Sequence, residues 1–166
     1  MIQALKDAPS GSPFTVRVSG AHNISGVLSE RTTASKIWLV AEPGSGATLS
    51  GRLSIHDGAP PVRIAGFEIT GQIVVEGNLE PLDIIDCTFR RSAATSSRRL
   101  LEANDEAAQE PRLIASNENK TIENAALVVR GGHITITNGE FEGLDLAVHV
   151  EGGTLAIANS TFHQNT

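Results

Sequence analysis

The sequence predicts an all-β fold in the form of a parallel β-solenoid with three short strands in each coil. Its 166 residues are 40% apolar but include only five Phe, one Trp and no Tyr, so the core must rely on aliphatic side chains. One pattern of apolar-x-apolar segments separated by Gly-containing turns recurs four times at a spacing of 20 to 21 residues. Because each segment is too short to form a stable isolated strand, we expect each to pair with its equivalents in neighbouring coils.

The inward-facing side chains of the four copies should form three columns, one on each sheet of the solenoid. The predicted columns are Ile55, Val75, Val129 and Val150 on the first sheet, Ile64, Ile84, Ile136 and Ile157 on the second, and Ile69, Phe89, Phe141 and Phe162 on the third. The third column would use three of the five Phe in the chain.

The corner after the second sheet is occupied in every copy by a residue that tolerates the left-handed backbone region. The residues at this corner are Gly66, Asp86, Asn138 and Asn159. Gly, Asn and Asp adopt positive φ more readily than other residues, so a sharp turn explains this choice. Side-chain amides stacked from coil to coil can also bond to one another, and we therefore predict a structural ladder at this corner.

Two further coils are predicted before the first clear copy, which brings the total to about six. Val16 and Ile37 are 21 residues apart, as are Val18 and Leu39, and this spacing matches the later coils. We expect residues 1–13 to form a polar lead-in or cap and residues 14–166 to form a single β-helix domain. Because the chain stops where another coil should begin, the pattern indicates a fragment of a longer protein or end-to-end stacking on a partner through open coil edges.

A long insertion is predicted between the second and third copies, at residues 90–125. Its charges are segregated, with a basic run at residues 90–99 and an acidic run at residues 102–110. Within it, Ser97 is a candidate cap for a short helix that Pro111 would end. The insertion is interpreted either as a tolerated surface loop or as a lid or recognition loop over the adjacent sheet.

The coil length, the three-sheet pattern and the Asn corner resemble the right-handed parallel β-helix of the pectin-lyase-like superfamily. The stretch from Ile157 to Asn165, which contains Phe162, is also similar to the F-x-x-N repeats of polymorphic outer-membrane-type surface proteins. The companion Gly-Gly-Ala-Ile of those repeats has a near match in Gly152-Gly153-Thr154-Leu155. The superfamily resemblance implies a right-handed helix, and it implies a fold more strongly than an activity.

One strip of polar residues shares a phase on the outward side of the first sheet. It contains His56, Glu76, Arg130 and Glu151, and His149 lies two residues before Glu151 on the same side. The superfamily resemblance implies carboxylates that bind calcium or act as acids on this face, and an Arg or Lys that abstracts a proton from an acidic polysaccharide. The alternative interpretation is an ordinary cross-strand charge ladder.

Composition and spacing argue against several other functions. The 13 Lys and Arg against 19 Asp and Glu give a formal net charge of −6, which disfavours nucleic acid and anionic membrane as partners. No apolar run approaches the roughly 18 residues of a membrane span, so membrane insertion is not expected. The dispersed His residues and the single Cys87 predict no metal site and no cofactor, with calcium retained only under the lyase alternative.

Two smaller features were weighed in the same way. An ice-binding solenoid needs a continuous Thr array, and Glu140 interrupts the column between Thr88 and Thr161. The N-glycosylation sequons begin at Asn23, Asn119 and Asn159, of which the one in the insertion is the plausible carrier.

Together these features predict a non-catalytic β-helix segment of an extracellular or surface-displayed protein. Its role would be adhesion, spacing or carbohydrate binding, with a polysaccharide or a protein as the ligand. The competing hypothesis is a polysaccharide lyase or hydrolase acting on acidic glycans, with its cleft on the first sheet beneath the insertion. The ice-binding solenoid is the second alternative.

Overall fold

The structure, a computed structural model, describes residues 5, 9–29, 32–77, 80–91 and 125–165. Apart from Leu5, the regular structure of these residues is β. The strands are β1 (Pro13–Val18), β2 (Ala21–Asn23), β3 (Gly26–Leu28), β4 (Lys36–Ala41), β5 (Thr48–Ser50), β6 (Arg52–His56), β7 (Val62–Ala65), β8 (Glu68–Ile69), β9 (Gln72–Glu76), β10 (Pro81–Ile85), β11 (Thr88–Arg90), β12 (Ala125–Thr137), β13 (Glu140–Glu142), β14 (Leu146–Ala158) and β15 (Thr161–His163).

Every strand pairing among the described residues is parallel, and the strands stack into three faces. Face A consists of β3, β6, β9 and the first halves of β12 and β14. Face B consists of β1, β4, β7, β10 and the second halves of β12 and β14, and face C of β2, β5, β8, β11, β13 and β15. The predicted all-β parallel solenoid with three short strands in each coil is therefore confirmed.

The expected number of about six coils is corrected to about five. The described strands make five complete turns, and a sixth turn contributes strands to faces B and C only. The predicted helix between Ser97 and Pro111, the rest of the insertion after Arg91 and the sequon at Asn119 lie outside the described residues.

The three predicted columns of inward side chains are present as paired residues on neighbouring strands. Ile55 pairs with Val75 on face A, Ile64 with Ile84 on face B, and the columns continue through β12 and β14. On face C, the rings of Phe89, Phe141 and Phe162 stack with centroids 4.7 and 4.5 Å apart and planes within 1°. These columns form one continuous aliphatic and aromatic core along the solenoid.

The predicted register of the first turn is wrong by two residues. Val16 pairs with Leu39 rather than Ile37, so the first two turns are offset by 23 residues instead of 21. Alternating apolar residues point inward at every second position in both strands, so a shift of two residues leaves the same side chains in the core. Periodicity therefore predicts that these strands pair but does not specify which residues are opposite each other.

The corner between faces A and B becomes a Gly pair in the last two turns. β12 and β14 each run through this corner as one strand of 13 residues, with a register irregularity at the bend. Gly153 has φ of 85°, and a Cβ placed on it would lie 2.6 Å from the carbonyl carbon of Gly131. The bend requires Gly at this position because the backbones of neighbouring coils approach too closely for any side chain.

Candidate functional site

The five residues of the predicted polar strip lie together on the outward side of face A. His56 and Glu76 end β6 and β9 and are paired in register, while Arg130 lies on β12 and His149 and Glu151 lie on β14. Inward neighbours such as Ile55 and Val75 hold each strand against the core, so the alternation of the strand directs the polar residues outward. The strip crosses four successive coils.

The strip is a chain of ion pairs centred on Arg130. The Arg130 guanidinium donates to Glu76 Oε1 at 2.8 Å and to Glu151 Oε2 at 3.0 Å, and so bridges two coils. At the ends, His56 Nε2 lies 3.3 Å from Glu76 Oε2 and His149 Nε2 lies 3.1 Å from Glu151 Oε1. Each side chain in the strip therefore has an ionic or hydrogen-bonding contact with another member of it.

The electrostatics of the strip keep Arg130 charged. Hydrogen bonding to Glu76, followed by contact with Glu151, raises the pKa of the Arg130 guanidinium above its already high ordinary value. The two carboxylates share one cation that cannot lose its proton at neutral pH. The arrangement ties three coils together and leaves Arg130 unsuited to accept a proton.

The corner between faces B and C holds the four residues of the predicted ladder at equivalent positions. Gly66, Asp86, Asn138 and Asn159 all have positive φ, at 80°, 51°, 54° and 50°. The amide of Asn138 donates to Asp86 Oδ1 at 2.8 Å across one coil interface. These residues turn the chain and join coils, which is a structural role.

A second polar network, on face C, was missed by the sequence reasoning. Arg90 Nε lies 2.8 Å from Glu142 Oε2, His163 Nε2 lies 3.3 Å from Glu140 Oε1, and Thr88 donates to Glu140. The sequence signal was the Glu-Phe-Glu alternation at residues 140–142, in which Phe141 is inward and both Glu are outward. The earlier assessment of this face considered the column of Thr88, Glu140 and Thr161 and omitted the outward residue two positions later on each strand.

Within the described part of the chain, this network also contains three residues that could hold a metal ion. The donor atoms of Glu140, Glu142 and His163 lie within 4.8 Å of one another. Arg90 already neutralises Glu142, and His163 and Thr88 already contact Glu140, so the observed geometry is that of an ion-pair ladder. The expectation that the protein has no metal site stays a prediction.

Face B carries a third outward cluster, which includes the single Trp of the chain. Arg63 lies over the Trp38 ring with its guanidinium carbon 5.7 Å from the ring centroid, and it also contacts Asp83 Oδ2 at 3.2 Å. Trp38 is half-buried between the fully buried Ile37 and Leu39. The cluster again joins three successive coils, β4, β7 and β10.

Cys87 is buried between the faces rather than exposed at any of these clusters. Desolvation raises the pKa of its thiol from 9.0 to about 11, against the opposing effect of hydrogen bonds with nearby backbone groups. A thiol that remains protonated at neutral pH is a poor nucleophile and a poor metal ligand. Its position supports the packing role inferred from the sequence.

Comparison with known proteins adds no relative to these observations. No family model, no curated protein and no solved structure matches the chain. The resemblances to the pectin-lyase-like superfamily and to surface-protein repeats therefore stay predictions. Among the described residues, no helix is long and apolar enough to cross a membrane.

Proposed function

We propose that the protein is a non-catalytic β-solenoid scaffold of a surface or extracellular protein, serving adhesion, spacing or carbohydrate binding. The observation that carries this proposal is that charged side chains on all three faces are engaged with residues of neighbouring coils. The Arg130 strip on face A, the Arg63 cluster on face B and the Arg90 network on face C each join successive strands. Such contacts hold the coils in register and stiffen the rod.

The same contacts weigh against catalysis at the face A strip. Proton abstraction would require Arg130 to be neutral, and its two carboxylate partners favour the charged form. A general acid would require a protonated carboxyl, whereas Glu76 and Glu151 both accept hydrogen bonds from the cation in their charged form. The groups needed for acid–base chemistry are thus occupied in binding one another.

The shape of the faces favours an extended ligand. Neighbouring coils repeat about every 4.8 Å, so each face offers a regular row of polar groups along the rod. Trp38 adds a half-buried aromatic surface on face B, next to Arg63 and Asp83. An aromatic ring flanked by polar groups is suited to a sugar ring or to an extended peptide, and we place the ligand contact there.

The catalytic alternative is tested by incubating the purified chain with neutral and uronic-acid polysaccharides. We expect no new reducing ends and no unsaturated uronate absorbance above a buffer control. Release of either product by the wild-type chain, and its loss in the triple variant Glu76→Gln, Arg130→Gln, Glu151→Gln, would contradict the proposal.

Ligand binding is tested by electrophoresis through gels that contain the same polysaccharides. We expect retarded migration in at least one gel, and we expect Trp38→Ala to reduce the retardation while Val27→Ala, at an exposed position on face A, leaves it unchanged. If no polysaccharide retards the chain, the carbohydrate-binding role is excluded and the spacer role is left. Retardation that is insensitive to Trp38→Ala would show that face B is not the contact.

A further inference from the structure

The two ends of the solenoid differ in how well they cover the core. In the first turn, Ile24 and Leu28 are 2% and 0% exposed, and Leu5, which precedes the first strand, is fully buried in the core. In the last turn, Val150, Ile157 and Phe162 are 48%, 40% and 49% exposed, although they continue the inward columns. The equivalent side chains one turn earlier are 1% exposed or less. The last turn therefore presents core-type side chains to solvent.

The strands of the last turn also have one open edge. Within the described residues, β14 pairs with β12 and β15 pairs with β13, and each has its partner on one side only. An open edge offers unpaired backbone N–H and C=O groups to another strand. An apolar surface bordered by such edges is suited to strand addition, because it gains backbone hydrogen bonds and apolar burial together.

We propose that this end binds the same end of a second copy of the chain, with β14 and β15 each pairing antiparallel to its counterpart. The first turn is closed over its core, so it offers no matching apolar surface for head-to-tail stacking. The open end is instead matched by itself, and a two-fold contact between identical surfaces closes at a dimer. This proposal is independent of the proposed function.

The layout of β14 allows this two-fold arrangement. Its bend at Gly152 and Gly153 divides it into two halves of six residues, 146–151 on face A and 153–158 on face B. A two-fold axis through the bend places the half on face A opposite the partner's half on face B. Val150 then faces Leu155 of the partner subunit, and Val148 faces Ile157 of the partner subunit, all from inward positions.

The outward residues and the Phe column fit the same axis. Glu151 lies opposite Thr154 of the partner subunit and His149 opposite Ala156 of the partner subunit, so this pairing along β14 brings no two like charges together. The axis leaves through the centre of β15, where Phe162 would stack on Phe162 of the partner subunit. The ring spacing of 4.7 and 4.5 Å seen within the chain would thus continue across the interface.

Sedimentation equilibrium of the 166-residue chain tests the assembly state. The chain mass is 17.5 kDa, and we expect twice that mass, 2 × 17.5 = 35.0 kDa, at micromolar concentration. Phe162→Asp should raise the dimer dissociation constant at least about 100-fold, because it places a charge in the apolar contact of both subunits. Val27→Asp, at a position 40% exposed on face A, should leave it unchanged.

A cysteine on the axis tests the geometry. Phe162→Cys places two thiols opposite each other in an antiparallel pair, within reach of a disulfide, and mild oxidation should yield a covalent dimer. Val27→Cys serves as the matched control and should stay monomeric in denaturing gels. Cys87 is buried and does not interfere.

The outcomes separate this proposal from its alternatives. A monomeric wild-type chain, or a mass that rises beyond the dimer with concentration, would overturn it. A dimer in which Phe162→Cys does not crosslink would overturn the two-fold geometry. Should circular dichroism show that Phe162→Asp is unfolded, Val150→Glu replaces it and must give the same loss of the dimer.

Discussion

The corner between faces B and C is turned by single residues in the left-handed backbone region. Asp86, Asn138 and Asn159 have φ between 50° and 54°, a conformation that L-residues with larger or branched side chains seldom adopt. Asn138 adds a hydrogen bond to Asp86 across the coil interface. At this corner, one side chain both permits the turn and connects two turns of the solenoid.

Substitutions of Asn138 should separate these two effects. Asn138→Ala loses the favourable left-handed conformation and the hydrogen bond, and we expect it to lower the free energy of unfolding by about 2 kcal/mol. Asn138→Gly retains the backbone freedom and should cost about half as much. Urea unfolding monitored by circular dichroism measures both. Equal losses for Ala and Gly would show that the left-handed conformation contributes nothing.

Cys87 predicts a pH dependence of stability. Its thiol has a pKa of about 11 when folded and 9.0 as a model value, so the folded state keeps a proton that the unfolded state releases between these values. Stability from this group is fully present below pH 9 and is lost as the pH rises toward 11. Two pH units at about 1.4 kcal/mol each give a loss of about 2 to 3 kcal/mol.

The measurement is urea unfolding from pH 8 to pH 11 for the wild-type chain and for Cys87→Ala. The chain contains no Tyr, so the difference between the two curves isolates the thiol from other groups that titrate in this range. We expect the wild-type chain to lose more stability than the variant. Parallel curves, or rapid reaction of the native thiol with a disulfide reagent at pH 8, would show that Cys87 is not held protonated by burial.

At the scale of the strand, the polar ladders act between coils. The inward columns specify that a strand packs on the core, whereas Arg130 joins β12 to both β9 and β14. Exposed ion pairs contribute little individually, because water and salt screen them. Their value lies in connecting three coils through one side chain.

The Arg130 ladder should therefore have a small and salt-dependent effect. Arg130→Met is expected to lower the unfolding free energy by less than about 1 kcal/mol at low salt, and by much less in 1 M NaCl, where the Debye length is about 3 Å. Arg130→Lys, which cannot bridge both carboxylates with the same geometry, should lie between Met and wild type. A loss that salt does not change would indicate that packing, and not charge, is responsible.

The repeat allowed the three columns to be predicted because each copy carries the same apolar spacing. The register of β1 against β4 could not be predicted, since a shift of two residues keeps Val16 and Leu39 in the core. The face C network was missed because Arg90, Glu142 and His163 follow the Phe column at strand ends, where the repeat pattern had already stopped. Contacts such as Arg63 over Trp38 also depend on side-chain conformation, which residue spacing does not determine.

At the scale of the whole molecule, the solenoid is a rod with unlike ends. The first turn covers its core and the last turn exposes it, although both are built from the same repeat. The sequence pattern alone could not show this difference, because an inward position reads the same whether or not another turn covers it. Exposure at the last turn depends on what packs above each column.

The central claim is that the coils before and after the insertion stack directly in the register described. Phe89 and Phe141 are 52 residues apart in sequence, yet their rings stack at 4.7 Å. The most direct test is a nuclear Overhauser spectrum of the chain with labelled Phe. We predict ring-to-ring cross-peaks between Phe89 and Phe141 and between Phe141 and Phe162. Assigned rings without these cross-peaks, or with Phe89 contacting other residues instead, would contradict the stacked solenoid.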